Sequence, residues 1–231
     1  MGFESEYPPF YVTVDIVVLT IHDGALHALA IRRGGEPFRG VRALPGGFVG
    51  IEEDLRDAAR RELEEETGFR VHDDALEQIG AYGAPDRDPR YRVVSVAWLA
   101  AVPEASAVRG GTDASHASWE PVDALLAEEL AFDHADILRR AVDRARELVL
   151  NPVEDRRPLA ASLLAEEEVS LSQLRAVHEA VLGRALDPGN FQRKVKSTQQ
   201  IVEPTGRRES SASGRGRPAE LFRLTPPRAS A

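Results

Sequence analysis

The chain has no cysteine among its 231 residues. Disulfides, thiolate metal sites and cysteine nucleophiles are therefore excluded. No apolar run approaches the roughly eighteen residues that a membrane span needs. The opening residues, MGFESEYPPF, lack the basic, apolar and small-residue pattern of a secretory signal. No internal repeat is visible. The only low-complexity stretch is 209–217 (ESSASGRGR), a flexible loop by composition. Together these absences set the expectation of a cytoplasmic protein with no membrane partner.

What is present is enough for real cores: 42% of residues are hydrophobic, in a length that suits one large or two small domains. Charge is unevenly spread. Residues 1–150 carry 16 Lys+Arg against 28 Asp+Glu, whereas residues 151–231 carry 13 against 10. From Arg184 onward the count is 10 against 4. A basic end on an acidic chain suggests an anionic partner for that end.

Residues 47–69 (GFVGIEEDLRDAARRELEEETGF) are the most informative stretch. Glu52, Glu53 and Asp54 place negative charge at a helix start, and Gly68 is a natural left-handed end. Leu55, Ala58, Ala59 and Leu63 supply a side to bury. At about 100° per residue, Glu62, Glu65 and Glu66 fall within an arc of roughly 100°. Their mutual repulsion has no local offset. A hard divalent cation supplies one, because Mg²⁺ takes oxygen ligands from carboxylates and substrate phosphates. Before the helix, Pro45-Gly46-Gly47 is a turn whose glycines let backbone approach a phosphate. The bland alternative is an exposed, salt-bridged helix.

The spacing decides against that alternative. Gly47, five residues, Glu53, seven residues, then Arg61-Glu62-Leu63-x-Glu65-Glu66-x-Gly68-Phe69 resembles the Nudix box at all its fixed positions. The resemblance implies a mixed sheet sandwiched by helices, with the box as loop, helix and loop. It also implies cleavage of a diphosphate linked to a nucleoside, with Mg²⁺ or Mn²⁺. Carried over, Glu62, Glu65 and Glu66 match the metal-binding glutamates, Arg61 the arginine that orients them, and Glu53 the auxiliary carboxylate. Glu53, Arg61 and Glu65 are then the expected catalytic residues.

In chain order, 12–21 (VTVDIVVLTI) reads as a strand, His22-Asp23-Gly24 as a turn and 26–31 as its hairpin partner. Arg32, Arg33 and Arg39 flank Gly34-Gly35. All three could clamp substrate phosphates, and Arg32 and Arg39, with Gly46 and Gly47, are the candidate diphosphate binders; solvated loop arginines are the alternative. Residues 76–82 and the apolar run 93–102 are predicted strands, the second of them central and buried. A short strand is expected at 118–122, and Asp123 as the cap of a short helix. Residues 135–150 keep helical spacing. Asn151-Pro152 stops that helix, which sets a boundary at 150–157 between domains 1–150 and 151–231.

Beyond it, Pro158 opens a predicted helix over 159–165. Ser170 and Gln173 form a capping box for the next helix, which Gly183 ends. Asp187 caps a third, with Phe191 and Val195 inward. That leaves Asn190, Gln192, Arg193, Lys194 and Lys196 outward. Residues 200–202 and 221–224 read as two strands around a loop bearing Arg207, Arg208, Arg215 and Arg217. This order is that of a winged helix-turn-helix, whose third helix enters the major groove. Asn190, Gln192, Arg193, Lys194, Lys196, Arg215 and Arg217 are the candidate DNA contacts. A small docking domain with a solvated basic face is the alternative.

The chain as a whole, from about Tyr11, is similar to the Nudix-related transcriptional regulators. The segments that carry this are Leu130-Ala131-Phe132-Asp133-His134, Asn190-Phe191-Gln192-Arg193-Lys194 and Gly216-Arg217-Pro218-Ala219-x-Leu221-Phe222-Arg223-Leu224. The resemblance implies an α+β chain: a Nudix α/β/α sandwich followed by a small winged helix-turn-helix domain. It implies a homodimeric repressor, often of NAD-metabolism genes, on a palindromic double-stranded operator, with ADP-ribose or a related sugar nucleotide as effector. Here the box is intact, so a Mg²⁺-dependent hydrolase of ADP-ribose or a similar diphosphate is the competing reading, and the two are compatible. A Nudix enzyme whose tail docks a protein is a third. The water-activating base is left open among Glu53, Asp86, Asp88, Asp113 and His116.

Overall fold

The β-branched run that opens the chain forms β1 (Tyr11–His22), with residues Val14 to Leu19 all buried. In the computed structural model, residues 6–103, 114–152, 158–197, 202–209 and 218–225 are described. A tight turn with Asp23 and Gly24 in left-handed backbone leads to β2 (Ala25–Arg33), as the hairpin reading expected. β3 (Arg42–Ala43), β4 (Gly46–Phe48), α1 (Leu55–Thr67), β5 (Glu77–Tyr82), β6 (Val93–Ala101), β7 (Ala114–Pro121), α2 (Val122–Ala127) and α3 (His134–Leu150) follow.

These strands make one sheet in the order β3-β2-β1-β6-β5, with β4 paired to β1 and β7 to β2. β1 is its middle strand, and β6 beside it is buried along almost its whole length, as a continuous apolar run requires. The β1–β4 register sets Val14 opposite Gly47 and Asp15 opposite Gly46. That pairing fastens the front of the box to the centre of the sheet. Two details differ from expectation. β7 runs longer than 118–122, and Asp123 lies in the first turn of α2 while Pro121 holds the cap position.

The chain falls into two compact units: Met1–Leu19 with His27–Ala100 and Ser106–Ala141, and Thr20–Leu26 with Ala101–Ala105 and Val142–Ala231. The second unit contains α4 (Leu159–Ser162), β8 (Glu168–Ser170), α5 (Leu171–Leu182), α6 (Pro188–Ser197), β9 (Val202–Glu209) and β10 (Ala219–Leu224). α4 is a single turn, shorter than the expected 159–165.

The capping box of α5 forms as read: Ser170 Oγ accepts from the Gln173 amide at 3.2 Å and Gln173 Oε1 from the Ser170 amide at 2.8 Å. Such a cap contributes about 1 kcal/mol. Gly183 ends α5 in left-handed backbone, and Asp187 Oδ1 accepts the Asn190 amide at 2.7 Å to start α6. The small sheet has the order β8-β10-β9, so Val169 and Ser170 are both the end of a strand and the start of a helix. The sequence reading saw only the helix. β9 also takes in Arg207 and Arg208, which had been assigned to the loop. Arg215 and Arg217 lie outside the described residues.

Candidate functional site

The box helix is fixed at both ends. Asp54 Oδ1 accepts the Arg56 amide at 3.0 Å, and Gly68 (φ 68°) donates to Glu64 O at 2.8 Å. Ala58, Ala59, Leu63 and Thr67 face the core, which turns Glu62 and Glu66 toward β4. A Cβ on Gly47 would stand 2.3–2.5 Å from the Glu62 carboxylate, and one on Gly46 would stand 2.2 Å from Val14 O. Glycine is needed at these positions because a carboxylate and a strand already fill the space. The Gly46 amide also donates to Glu66 Oε2 at 3.0 Å.

Arg61 gathers the rest. Its Nε and Nη2 bind both oxygens of Glu53 at 2.8 and 2.9 Å, and Nη1 reaches Glu62 Oε1 at 2.7 Å and Glu65 Oε2 at 3.2 Å. Nη2 also donates to Phe48 O at 3.0 Å. A planar fork makes this multiple contact and an ammonium does not. Glu53, also accepting from Gly50, is held at about 2 by Arg61 and that amide. A carboxylate so engaged is a weak base, so Glu53 acts here as Arg61's anchor.

Glu62 and Glu66 behave oppositely. Burial pushes the Glu62 carboxyl up. Burial, then the neighbouring Glu62, pushes Glu66 to about 8 despite the Gly46 amide. Glu65 is the open member, 55% exposed. Two carboxyls are held toward neutrality by burial and like charge, beside a third that is accessible, and a divalent cation would remove both costs; among the described residues the three do not gather their ligand atoms within 4.8 Å of one another.

The arginines near the box divide by strand alternation. Arg33, half-buried at the end of β2, interacts electrostatically with Glu66 and lies over the Phe132 ring at 4.7 Å. Its Nε donates to Pro37 O at 2.9 Å. Phe38 and Phe132, both in left-handed backbone, meet edge to face at 4.9 Å. Arg32 falls on the opposite face and donates to Gly40 O at 3.0 Å. Arg39 is exposed beside Glu36 at 3.6 Å. The structure therefore brings Gly46, Gly47 and Arg33 to the glutamates; the contacts seen for Arg32 and Arg39 are with Gly40 O and Glu36.

Behind Gly46 lies a buried polar network. Among the described residues, Asp15, Asp133 and His134 have ligand atoms within 4.8 Å of one another. All four carboxylate oxygens already face a donor. Arg87 binds Asp133 at 2.9 and 2.6 Å and Asp15 Oδ2 at 3.0 Å; Ser95 donates to Asp15 Oδ2 at 2.5 Å. The Leu44 amide donates to His134 Nδ1 at 2.9 Å, which leaves Nε2 facing Asp15 Oδ1 at 3.3 Å. Burial pushes the Asp15 carboxyl up, but His134, Arg87 and Ser95 more than offset this and hold it at about 2. The cation of this cluster is Arg87. The sequence motif 130–134 pointed to family, not to this role.

Of the remaining base candidates, Asp88 has both oxygens bound by Arg90 at 2.8–3.1 Å, and Asp86 is exposed. Asp113 and the His116 side chain lie outside what is described.

In the second unit, α6 buries Phe191 and Val195 and exposes Asn190, Gln192, Arg193, Lys194 and Lys196. Both lysines of the chain sit on this helix. Arg193 donates to Asn190 Oδ1. Lys196 pairs with Glu220 at 3.6 Å and lies over Phe222 at 5.7 Å, so the wing restrains it. Arg207 and Arg223 both reach Glu168 on β8, at 3.1 and 3.4 Å.

These two sites have counterparts in known proteins. The NUDIX domain family model matches residues 10–141, and the NrtR DNA-binding winged helix domain model matches residues 161–224. The ADPR responsive transcriptional repressor NtrR of Acinetobacter baylyi is 33% identical over 223 residues, covering 96% of this chain and 84% of that protein. The chain belongs to the Nudix-related transcriptional regulators. This regulator is also similar to Shewanella oneidensis NrtR, with TM-score 0.73, 30% identity and coverage of 93% of this chain and 94% of that one. The same protein has been solved with a 27mer DNA (TM-score 0.71), and its Nudix domain with ADP ribose. That domain is 32% identical, with TM-score 0.56, over 60% of this chain and 90% of the domain. An ADP-ribose pyrophosphatase of Methanocaldococcus jannaschii is 40% identical over 111 residues, which is 48% of this chain and 63% of that enzyme. Nudix hydrolases use a divalent metal, and the box carboxylates of this regulator suit one.

Proposed function

We propose that this regulator is a cytoplasmic repressor that binds palindromic operator DNA as a homodimer through residues 151–231. ADP-ribose, or a similar nucleoside diphosphate sugar, binds in residues 1–150 and alters that binding. The observation that carries this reading is full-length similarity to a repressor whose name states its response to ADP-ribose. Control of NAD-metabolism or related genes accompanies it. No helix among the described residues is long and apolar enough to cross a membrane.

In this reading Glu62, Glu65 and Glu66 hold Mg²⁺ or Mn²⁺, and Gly46, Gly47 and Arg33 border the diphosphate. Arg61, anchored by Glu53, keeps Glu62 and Glu65 oriented. Bound metal neutralises diphosphate charge. Asn190, Gln192, Arg193, Lys194 and Lys196 face the duplex, with Arg207 and Arg208 beside them on the wing. Effector binding shifts operator affinity only as far as it distinguishes two states of the regulator. A gel-shift titration with and without ADP-ribose tests this. Absence of salt-dependent DNA binding would end it.

The assembled box supports a second, compatible reading: slow Mg²⁺-dependent cleavage of the effector. A metal held by Glu62, Glu65 and Glu66 would lower the pKa of a bound water, and Glu65 is the accessible carboxylate of the three. Incubation with ADP-ribose and Mg²⁺ then releases AMP in wild type and not in Glu65→Gln. Equal release by both rejects turnover at this site.

A further inference from the structure

A cavity of about 340 Å³ lies in the second unit beneath α6, walled by the end of α3, by α5, by the turn from Arg184 to Asp187, and by α6 itself. Val149, Leu182, Phe191 and Val195 make its walls largely apolar. Its size is at the lower end of the roughly 300–1,000 Å³ typical of small-molecule sites.

Apolar packing does not account for His178. It lies on the inward face of α5 with Leu174, Val177 and Val181, and is 7% exposed. Its ring meets Phe191 at 5.0 Å in an edge-on contact, and among the described residues it makes no hydrogen bond. Burial, with Lys194 adding, holds its pKa at about 4. The imidazole is therefore neutral near pH 7 and presents one N–H and one lone pair. A polar side chain on a cavity wall with no protein hydrogen bond among the described residues can take one from an occupant of that cavity.

The charged groups around it say what kind. The Arg184 side chain, on the rim, has no ion pair or hydrogen bond among the described residues. Lys194 is the second cation on the wall. The one carboxylate there, Asp187, is taken by the Asn190 amide at 2.7 Å. Nearby Glu179 is held by Arg175 and by the Leu186 amide, both at 2.7 Å.

We infer that this cavity is a second ligand site, separate from the diphosphate site, for a small organic anion with an apolar ring-sized body. The body lies against Leu182 and Phe191, the acid group meets Arg184 and Lys194, and His178 hydrogen-bonds to the ligand. Asn190 and Lys194 belong to both the cavity wall and the outward surface of α6, so an occupant also alters DNA affinity; this last consequence rests on the DNA-binding reading.

The test uses the full chain and 8-anilinonaphthalene-1-sulfonate, an apolar anion that fluoresces on burial. The expected result is one saturable site per chain, unchanged by saturating ADP-ribose. Leu182→Trp, which fills the cavity, removes the signal. Arg184→Glu, on a side chain with no ion pair or hydrogen bond among the described residues, weakens binding by about tenfold or more and leaves the unfolding temperature unchanged. Unsaturable binding, displacement by ADP-ribose, or wild-type affinity in Arg184→Glu would each overturn the inference. The readout contains no DNA, so it stands or falls independently of repression.

Discussion

The two ends of the sequence treat charge in opposite ways. Residues 1–150 hold 28 acidic against 16 basic residues, and at the box the acids are crowded together and partly buried. Residues 151–231 hold 13 basic against 10 acidic residues, and the cations of α6 and β9 are spread on the surface. An acidic region that is to hold a diphosphate would need an added cation, and the proposed function gives its carboxylates that task. A basic unit meets a polyanion directly, and its affinity depends on counterion release. The ion pairs differ as well: Arg61 and Arg87 each gather two or more carboxylates, while Arg207 and Arg223 share the single carboxylate of Glu168.

The sharpest way to break this contrast is at Arg87. Replacing it by Met leaves Asp15 and Asp133 buried without their cation, a change that costs about 3–5 kcal/mol. Thermal unfolding should show this loss in the first unit, with the transition of the second unmoved. Next comes the basic face. Arg193→Glu with Lys194→Glu should weaken operator binding by about 100-fold near 0.1 M salt and flatten its salt dependence, while calorimetry finds ADP-ribose affinity unchanged.

Arg61→Lys keeps the charge but not the fork. ADP-ribose affinity in Mg²⁺ should fall by about 10- to 100-fold, with ligand-free DNA binding intact; a loss confined to DNA would reverse the assignment of roles. The smallest effect is one of pH. Glu66 titrates at about 8 in the folded chain against an ordinary 4.5, so the folded state holds a proton there that the unfolded chain has released. Metal-free stability should therefore decline as pH rises between these values. Mg²⁺ must displace that proton, so its stabilising shift in unfolding temperature should be larger at pH 8 than at pH 6.

Much of this was legible in the residues. Fixed spacing revealed the box, and the caps Ser170, Gly183 and Asp187 placed α5 and α6 because local hydrogen bonds determine helix ends. Long-range pairing was less visible. β8 is three residues long and shares Ser170 with a helix cap, so no periodicity marked it. That Arg33 rather than Arg32 interacts with Glu66 depends on which face of β2 each occupies, which sheet register decides. The role of Asp15 was hidden in an apolar strand, since its partners lie 72 to 119 positions away at Arg87, Ser95, Asp133 and His134. His178 carries no sequence signal of its own: it falls on the inward face of α5, and its place on a cavity wall is visible only in the fold.

In the proposed function, occupancy of the Nudix domain changes how the winged helix domain meets DNA. Operator affinity of Glu65→Gln, measured by fluorescence anisotropy with and without saturating ADP-ribose and Mg²⁺, tests it without turnover of the ligand. A shift of about 5- to 150-fold is the predicted result, the range of ordinary allosteric coupling. Superimposable curves, with ADP-ribose shown to be bound, would contradict it.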